Sequence, residues 1–322
     1  MNTRNKALAL TFATLFTGIH TAEASCGASA CTLMSDRYTL DSGTGRSGLS
    51  IDLRYENIAQ DRLRSGTGKA TPEDTAGEEA LEQHTRQRAL MAAFDYGLDA
   101  DWSVQLRLPL LQREHAHILQ DEASGEPLDA ERWNFDGLGD AQLLLRRRFA
   151  PENGSTVYAL FAGFKLPSGS RNAKNGDGVR AERALQPGTG TTDFMFGASV
   201  RHALGLRDAM FAQVGIAEAL SQVDDFEPGR RLSAGAGWSH ALGPHVGTVL
   251  QLNLLHRGRD AGAQAEPDVS GGTTLDISPG LTWNLRAGST LYAYLQVPLY
   301  QDMNGTQLAP ERTLAVGWSL DF

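Results

Sequence analysis

The sequence predicts an all-β fold, a transmembrane up-and-down antiparallel β-barrel of about twelve strands. Segments of about ten residues alternate apolar and polar side chains along most of the chain. The connections between them alternate strictly between short and long. Arg312 to Phe322 is the clearest single segment, with Leu314, Val316, Trp318, Leu320 and Phe322 on one face and Thr313, Ala315, Gly317 and Ser319 on the other. Lipid-compatible residues outside and small or polar residues inside suit the wall of a membrane barrel.

The N-terminus has the zones of a secretory signal: Arg4 and Lys6, an apolar stretch from Ala7 to Phe16, then Ala22-Glu23-Ala24 as a cleavage site. Residues 1–24 are therefore expected to be a signal peptide, 25–48 a periplasmic or plug segment, and 49–322 the barrel. Glu23 occupies the position where a lipoprotein signal needs an aliphatic residue, so Cys26 is not read as a lipidation site. Cys26 and Cys31 are the only cysteines. Export to an oxidising compartment favours a local disulfide between them. A redox or metal role is the alternative, against which nearby cationic groups to lower a thiol pKa are lacking. No stretch reaches the ~18 uninterrupted apolar residues of a spanning helix.

The strands follow in order. The first, Leu49 to Ile58, sets Leu49, Ile51, Leu53 and Tyr55 outward and Asp52, Arg54 and Glu56 inward. The second, Thr85 to Gly97, turns Leu90, Ala92, Phe94 and Tyr96 out, and the third, Trp102 to Gln112, turns out Trp102, Val104, Leu106, Leu108 and Leu110. Strands four to seven cover 139–149, 156–166, 193–203 and 209–219. Strands eight to eleven cover 231–239, 246–256, 274–285 and 290–299, and the closing segment is the twelfth.

Short turns are expected at 98–101, 150–155, 204–208, 240–245 and 286–289, with long polar loops after the odd-numbered strands. A soluble β-sandwich has no reason to sort its loops by parity. Tyr96, Trp102, Phe149, Trp238, Trp283 and Phe322 cluster at the short-turn ends, while Tyr55 and Tyr300 lie towards the other, as in two interfacial girdles. Gly is abundant, 35 of 322, which suits crowded inner-wall positions and tight turns. A formal charge of −9 argues against a nucleic-acid partner.

Three stretches resemble the MetA-pathway phenol-degradation family of outer-membrane barrels, which are related to FadL-like channels. They are Gly137-Leu-Gly-Asp-Ala-Gln-Leu running on to Phe149, Lys165-Leu-Pro-Ser-Gly169, and Gln186-Pro-Gly-Thr-Gly-Thr-Thr-Asp193. The resemblance implies passage of small, aromatic or apolar molecules across the outer membrane. A long apolar N-terminal plug of the FadL kind is absent from the pattern.

By parity the pore-lining charges are Arg54, Arg107, Arg146, Arg148, Lys165, Arg201 and Arg231, with Asp52, Glu56, Asp95, Asp140, Asp193 and Asp276 among them. Arg107, Arg146 and Arg148, on neighbouring strands, are expected either to form a basic ladder for carboxylates or phosphates, or to pair with Asp95, Asp140 and Glu56. The loop expected after strand three holds Glu114, His115 and His117, then Asp121, Glu122, Glu126, Asp129 and Glu131. His-x-His beside carboxylates suits Zn²⁺ or Cu²⁺, but an exposed acidic loop with incidental histidines is the commoner arrangement, so no metal site is assigned. Asn172 to Glu182 has calcium-loop composition without the spacing, and is read as a turn-rich loop. His202 and His256 have outward parity with no serine partner and no nucleophile elbow, so no catalytic residue and no cofactor are expected.

The sequence thus points to an outer-membrane channel for passive passage of small solutes, with no enzyme activity. Its partners would be membrane lipid and lipopolysaccharide, a small-molecule permeant, and the barrel-assembly machinery through the closing strand. An occluded structural or adhesion barrel acting through its outer loops is the alternative, and a lipid-modifying enzyme a more distant one.

Overall fold

The computed structural model describes residues 47–76, 78, 80–121, 124–151 and 154–322. The signal peptide, the Cys26–Cys31 pair and all but the end of the 25–48 segment lie outside these residues.

The described chain is nearly all strand. Its elements are β1 (Gly48–Gln60), β2 (Arg62–Gly66), β3 (Gly68–Lys69), β4 (Ala80–Gly97), β5 (Trp102–Gln120), β6 (Pro127–Leu138), β7 (Gln142–Phe149) and β8 (Thr156–Lys165). They continue with β9 (Asp193–Ala203), β10 (Asp208–Ala219), β11 (Arg231–Ala241), β12 (Val246–Arg257), β13 (Gly272–Arg286), β14 (Ser289–Ala309) and β15 (Arg312–Asp321). Neighbours pair antiparallel in sequence order, and β15 returns to β1 with Leu53 opposite Trp318 and Tyr55 opposite Val316. The result is a closed barrel of 12 wall strands.

Alternation sets the two faces. Leu106, Leu108, Leu110, Leu143, Leu145, Phe164, Phe194, Leu250, Leu252, Val316 and Trp318 are exposed on the outside, far more apolar surface than a soluble protein shows. Their inward neighbours, such as Asp52, Glu56, Gln105, Gln251, Asn253, Ser278 and Ser319, are buried. The apolar belt has definite limits. On β5 it ends at Leu110, beyond which Gln112 and Glu114 point outward; on β4 it ends at Leu90, beyond which Arg88 and Arg86 do. A strand needs about 9–11 residues to cross the bilayer, so the 19 residues of β5 carry the wall well above it.

This extension corrects two expected loops. The stretch after strand three is not a loop of exposed histidines: β5 continues to Gln120 and returns as β6, with His115 opposite Trp133 and His117 opposite Glu131. The long segment expected after strand eleven is β14 itself, which runs to Ala309 and pairs there with β2. Above the bilayer both faces are wetted, so polarity loses its two-residue period although backbone pairing continues. The turns at the opposite end are short as expected, the tightest being Ala287–Gly288 between Arg286 and Ser289. Gly288 has φ 74°, the left-handed conformation that two-residue hairpins favour.

The wall between β5 and β8 is split. β6 pairs only with the outer half of β5, and β7 takes over lower down, with Arg107 opposite Gln142. Gly139, Asp140 and Ala141 form the break. Above it β8 stops at Lys165 and β9 starts at Asp193. Residues 166–192 fold inward against the lumenal faces of β5 and β6, where Leu185 and Ala181 pack on Trp133.

Candidate functional site

The interior has two kinds of lining. Along β12 to β1 it is a hydrogen-bonded acidic and neutral surface. Tyr292 Oη donates to Asp52 Oδ1 at 2.7 Å, and Ser319 Oγ donates to Asp52 Oδ2. Gln296 donates to Asp276 at 2.8 Å and Asn253 to Ser278 at 2.9 Å. Arg54 is bridged to Glu56 two residues along the same face, 2.7 Å apart. Asp95, on β4, accepts from Ser103 Oγ at 3.2 Å.

Four inward aromatics, on β8, β10 and β14, lie along the inner surface because each faces a glycine across the strand pair: Phe161 opposite Gly197, Phe211 opposite Gly237, Tyr294 opposite Gly280 and Tyr292 opposite Gly317. A Cβ on any of these glycines would come within 2.1 to 2.4 Å of the ring. The pairing lays each ring along the wall, where Phe211, Tyr292 and Tyr294 are buried in one cluster with Val249 and Ala315. The glycine partners emerge only from the register.

The three family-like stretches converge on one node at the wall break. Asp140 Oδ2 accepts from Lys165 Nζ at 3.1 Å, Thr189 N at 2.8 Å and Thr189 Oγ1 at 2.9 Å, and its Oδ1 accepts from Gly169 N at 2.9 Å. Lys165 also meets Asp193 at 3.1 Å and Thr191 at 3.2 Å, and Arg231 reaches Asp193 at 3.5 Å. Gly169 and Gly188 cross here so closely that a Cβ on either would sit 2.6 Å from the other's Cα. Glycine is required for the crossing, and the buried charges hold it together. Lys165, Asp140 and Asp193, with Arg231 at its rim, thus fasten the inward-folded segment to the wall.

The remaining arginines sit differently. Arg107, Arg146, Arg148 and Arg201 lie on the inward faces of β5, β7 and β9 and are half-buried. Ser103 is the register partner of Arg146, so Arg107, four residues further along β5, is displaced by about 13 Å of strand. Only Arg146 and Arg148 are successive inward residues, so the register does not set Arg107 directly beside them. Of the expected alternative partners, Asp140 is engaged by Lys165 and Glu56 by Arg54. The Nε atoms of Arg148 and Arg201 have no hydrogen-bond partner.

His115 and His117 lie on the inner face near the mouth, fully buried beside Glu82, not on an exposed loop. Arg113, two residues along the same face, is held by Gln87 and by the carbonyls of Ala184 and Leu185. Glu182, expected in a solvated loop, comes to 4.0 Å from His117 Nδ1. The rest of that loop is turn-rich as read: Asn175 Oδ1 accepts from the amides of Asp177 and Val179. His202 and His256 are exposed on the outer face, bonded to Thr156 and Thr273 at 2.8 and 2.9 Å.

No family model matches the sequence, and no match was found among curated proteins. Among solved structures the chain is similar to an outer membrane channel from Pseudomonas putida F1, with a TM-score of 0.61 and 15% identity over 86% of this chain and 96% of that one. The P. putida toluene transporter TodX (TM-score 0.46, 10% identity, 94% and 96% covered) and a Pseudomonas aeruginosa FadL homologue (0.41, 8%, 85% and 90%) are more distant, and neither adds to the argument. The fold is that of an outer-membrane β-barrel channel.

Proposed function

We propose that the protein is an outer-membrane channel for passive passage of small solutes, aromatic or apolar ones among them. The observation that carries this reading is the two-sided lining of the bore. Arginines on β5, β7 and β9 look across towards the hydrogen-bonded acidic and aromatic surface of β13 and β14. A carboxylate or phosphate on a solute is drawn to Arg148 and Arg201, while Phe161 on β8, opposite Arg146 and only half-buried, offers the solute's flat apolar part a contact. Arg107 and Arg146 extend that basic side; Arg54, Arg231, Lys165, Asp52, Asp95 and Asp140 shape the wall through bonds among themselves and their neighbours. No step in this reading is catalytic, and the Thr-bonded His202 and His256 serve the outer surface. The outward row Leu314, Val316, Trp318 and Leu320 on β15 supports recognition by the barrel-assembly machinery.

Single-channel recording of the refolded protein in a planar bilayer tests the proposal. Discrete current steps are expected, with a reversal potential under a salt gradient that favours anions. Arg148→Gln with Arg201→Gln should shift that potential towards cations without closing the pore. Silence from folded protein would overturn the channel and favour the second reading, an occluded barrel acting through its outer loops. The segment 166–192 folded into the mouth is the observation behind that rival.

A further inference from the structure

We propose that Glu82, His115 and His117 bind a single divalent transition-metal ion of the zinc class, buried at the mouth of the barrel. The three residues come from paired strands. His115 and His117 are two apart on β5 and so share its inner face, and Glu82 stands opposite His117 on β4. One donor atom from each lies within 4.8 Å of the other two. Zinc–ligand bonds of about 2.0–2.2 Å need donors roughly 3.5 Å apart, so small side-chain rotations of about an ångström close the site. Two imidazole nitrogens with one carboxylate select zinc-like ions over calcium or magnesium, which prefer all-oxygen shells.

The surroundings are arranged as a second shell would be. His115 Nδ1 is bonded to Thr85 Oγ1 at 2.9 Å, which aims Nε2 at Glu82, 3.6 Å away. That buried Nε2 makes no hydrogen bond. Each nitrogen of His117 faces a carboxylate, Nε2 at 3.1 Å from Glu131 and Nδ1 at 4.0 Å from Glu182. The hydrogen bond to Glu131 orients the ring through Nε2, Nδ1 faces Glu182 from beyond hydrogen-bond distance, and the glutamate on the metal side is placed to become a fourth ligand. Trp133 covers the cluster, with its ring centre 5.6 Å from His115 and 4.9 Å from His117. A divalent ion would offset the buried carboxylate of Glu82 and the partly buried ones of Glu131 and Glu182.

The cluster also joins separate parts of the mouth. Glu82 belongs to β4, the histidines to β5, Glu131 to β6 and Glu182 to the inward-folded segment 166–192. Metal binding would therefore clamp that segment to the wall. The plain alternative is a hydrogen-bonded ion-pair cluster that needs no metal.

Refolded protein without a histidine tag, stripped with chelator and then dialysed against Zn²⁺, should retain one equivalent. A His115→Ala, His117→Ala variant should lose it, and Glu82→Gln should weaken binding at least about tenfold. Zinc should also slow trypsin cleavage at Arg180 in the wild type. Zinc retained equally by the double variant would assign the metal to exposed histidines and overturn the proposal. Should that variant fail to fold, Co²⁺ bound to the wild type decides the matter. Intense visible bands of a four-coordinate ion support the site; no bound Co²⁺, or the pale spectrum of a six-coordinate aquo ion, overturns it.

Discussion

The interior holds two sets of charges that sequence parity treats alike and the structure separates. At the wall break Lys165, Asp140 and Asp193 are buried, each side chain at most 5% exposed, and each meets several partners. Around β7 and β9, Arg148 and Arg201 have the same inward parity but remain half-buried, each with an unbonded Nε. The first set is satisfied by the protein itself and has nothing to offer a passing solute. The second stays partly exposed to one, although its Nε atoms are buried. Inward parity thus marks candidates for pore chemistry, and hydrogen-bond satisfaction decides among them.

The sharpest way to break the contrast is to neutralise one member of each set. Lys165→Met leaves Asp140 and Asp193 as buried carboxylates without their shared cation, a change that costs about 3–5 kcal/mol. The folded fraction of refolded protein, read as the urea midpoint in detergent, should fall accordingly. Arg148→Gln should stay within about 0.5 kcal/mol of the parent. Equal destabilisation by the two changes would show that Arg148 is as structural as Lys165.

The same contrast explains how much was readable in advance. Strand positions and faces through the bilayer were legible because lipid outside and polar lining inside impose a two-residue period, as Leu49 to Tyr55 and Leu314 to Phe322 show. Above the lipid that period vanishes, so β5 beyond Gln112 and β14 beyond Leu299 were invisible as strands. His115 and His117 were consequently misplaced onto an exposed loop, although their two-residue spacing fits one strand face. The family-like stretches were legible as motifs. Their convergence at Asp140 was not, because it depends on residues 166–192 turning inward, and only the crossing of Gly169 and Gly188 reveals that. Register was the other hidden variable: it separates Arg107 from Arg146 and sets Tyr292 against Gly317.

The aromatic plates offer a smaller break. Gly317→Val places a side chain where the Tyr292 ring lies, and the ring must swing off the wall into the bore. Overpacking of this kind costs about 1–3 kcal/mol, and single-channel conductance should drop as well. An unchanged conductance would mean that the narrowest part of the path lies elsewhere.

The mildest change tests whether Tyr292 matters through its ring or its hydroxyl. Tyr292→Phe keeps the ring over Gly317 and removes one donor to Asp52, which retains Ser319. Asp52 is 4% exposed, so water cannot freely replace the lost bond. The expected cost is about 1 kcal/mol with conductance preserved. Because Asp52 accepts from both hydroxyls, Tyr292→Phe and Ser319→Ala should be coupled: the double variant should lose more than the sum, since both changes act on the same carboxylate. Additive losses in a double-mutant cycle of urea midpoints would show that Asp52 draws its stabilisation from elsewhere on the wall.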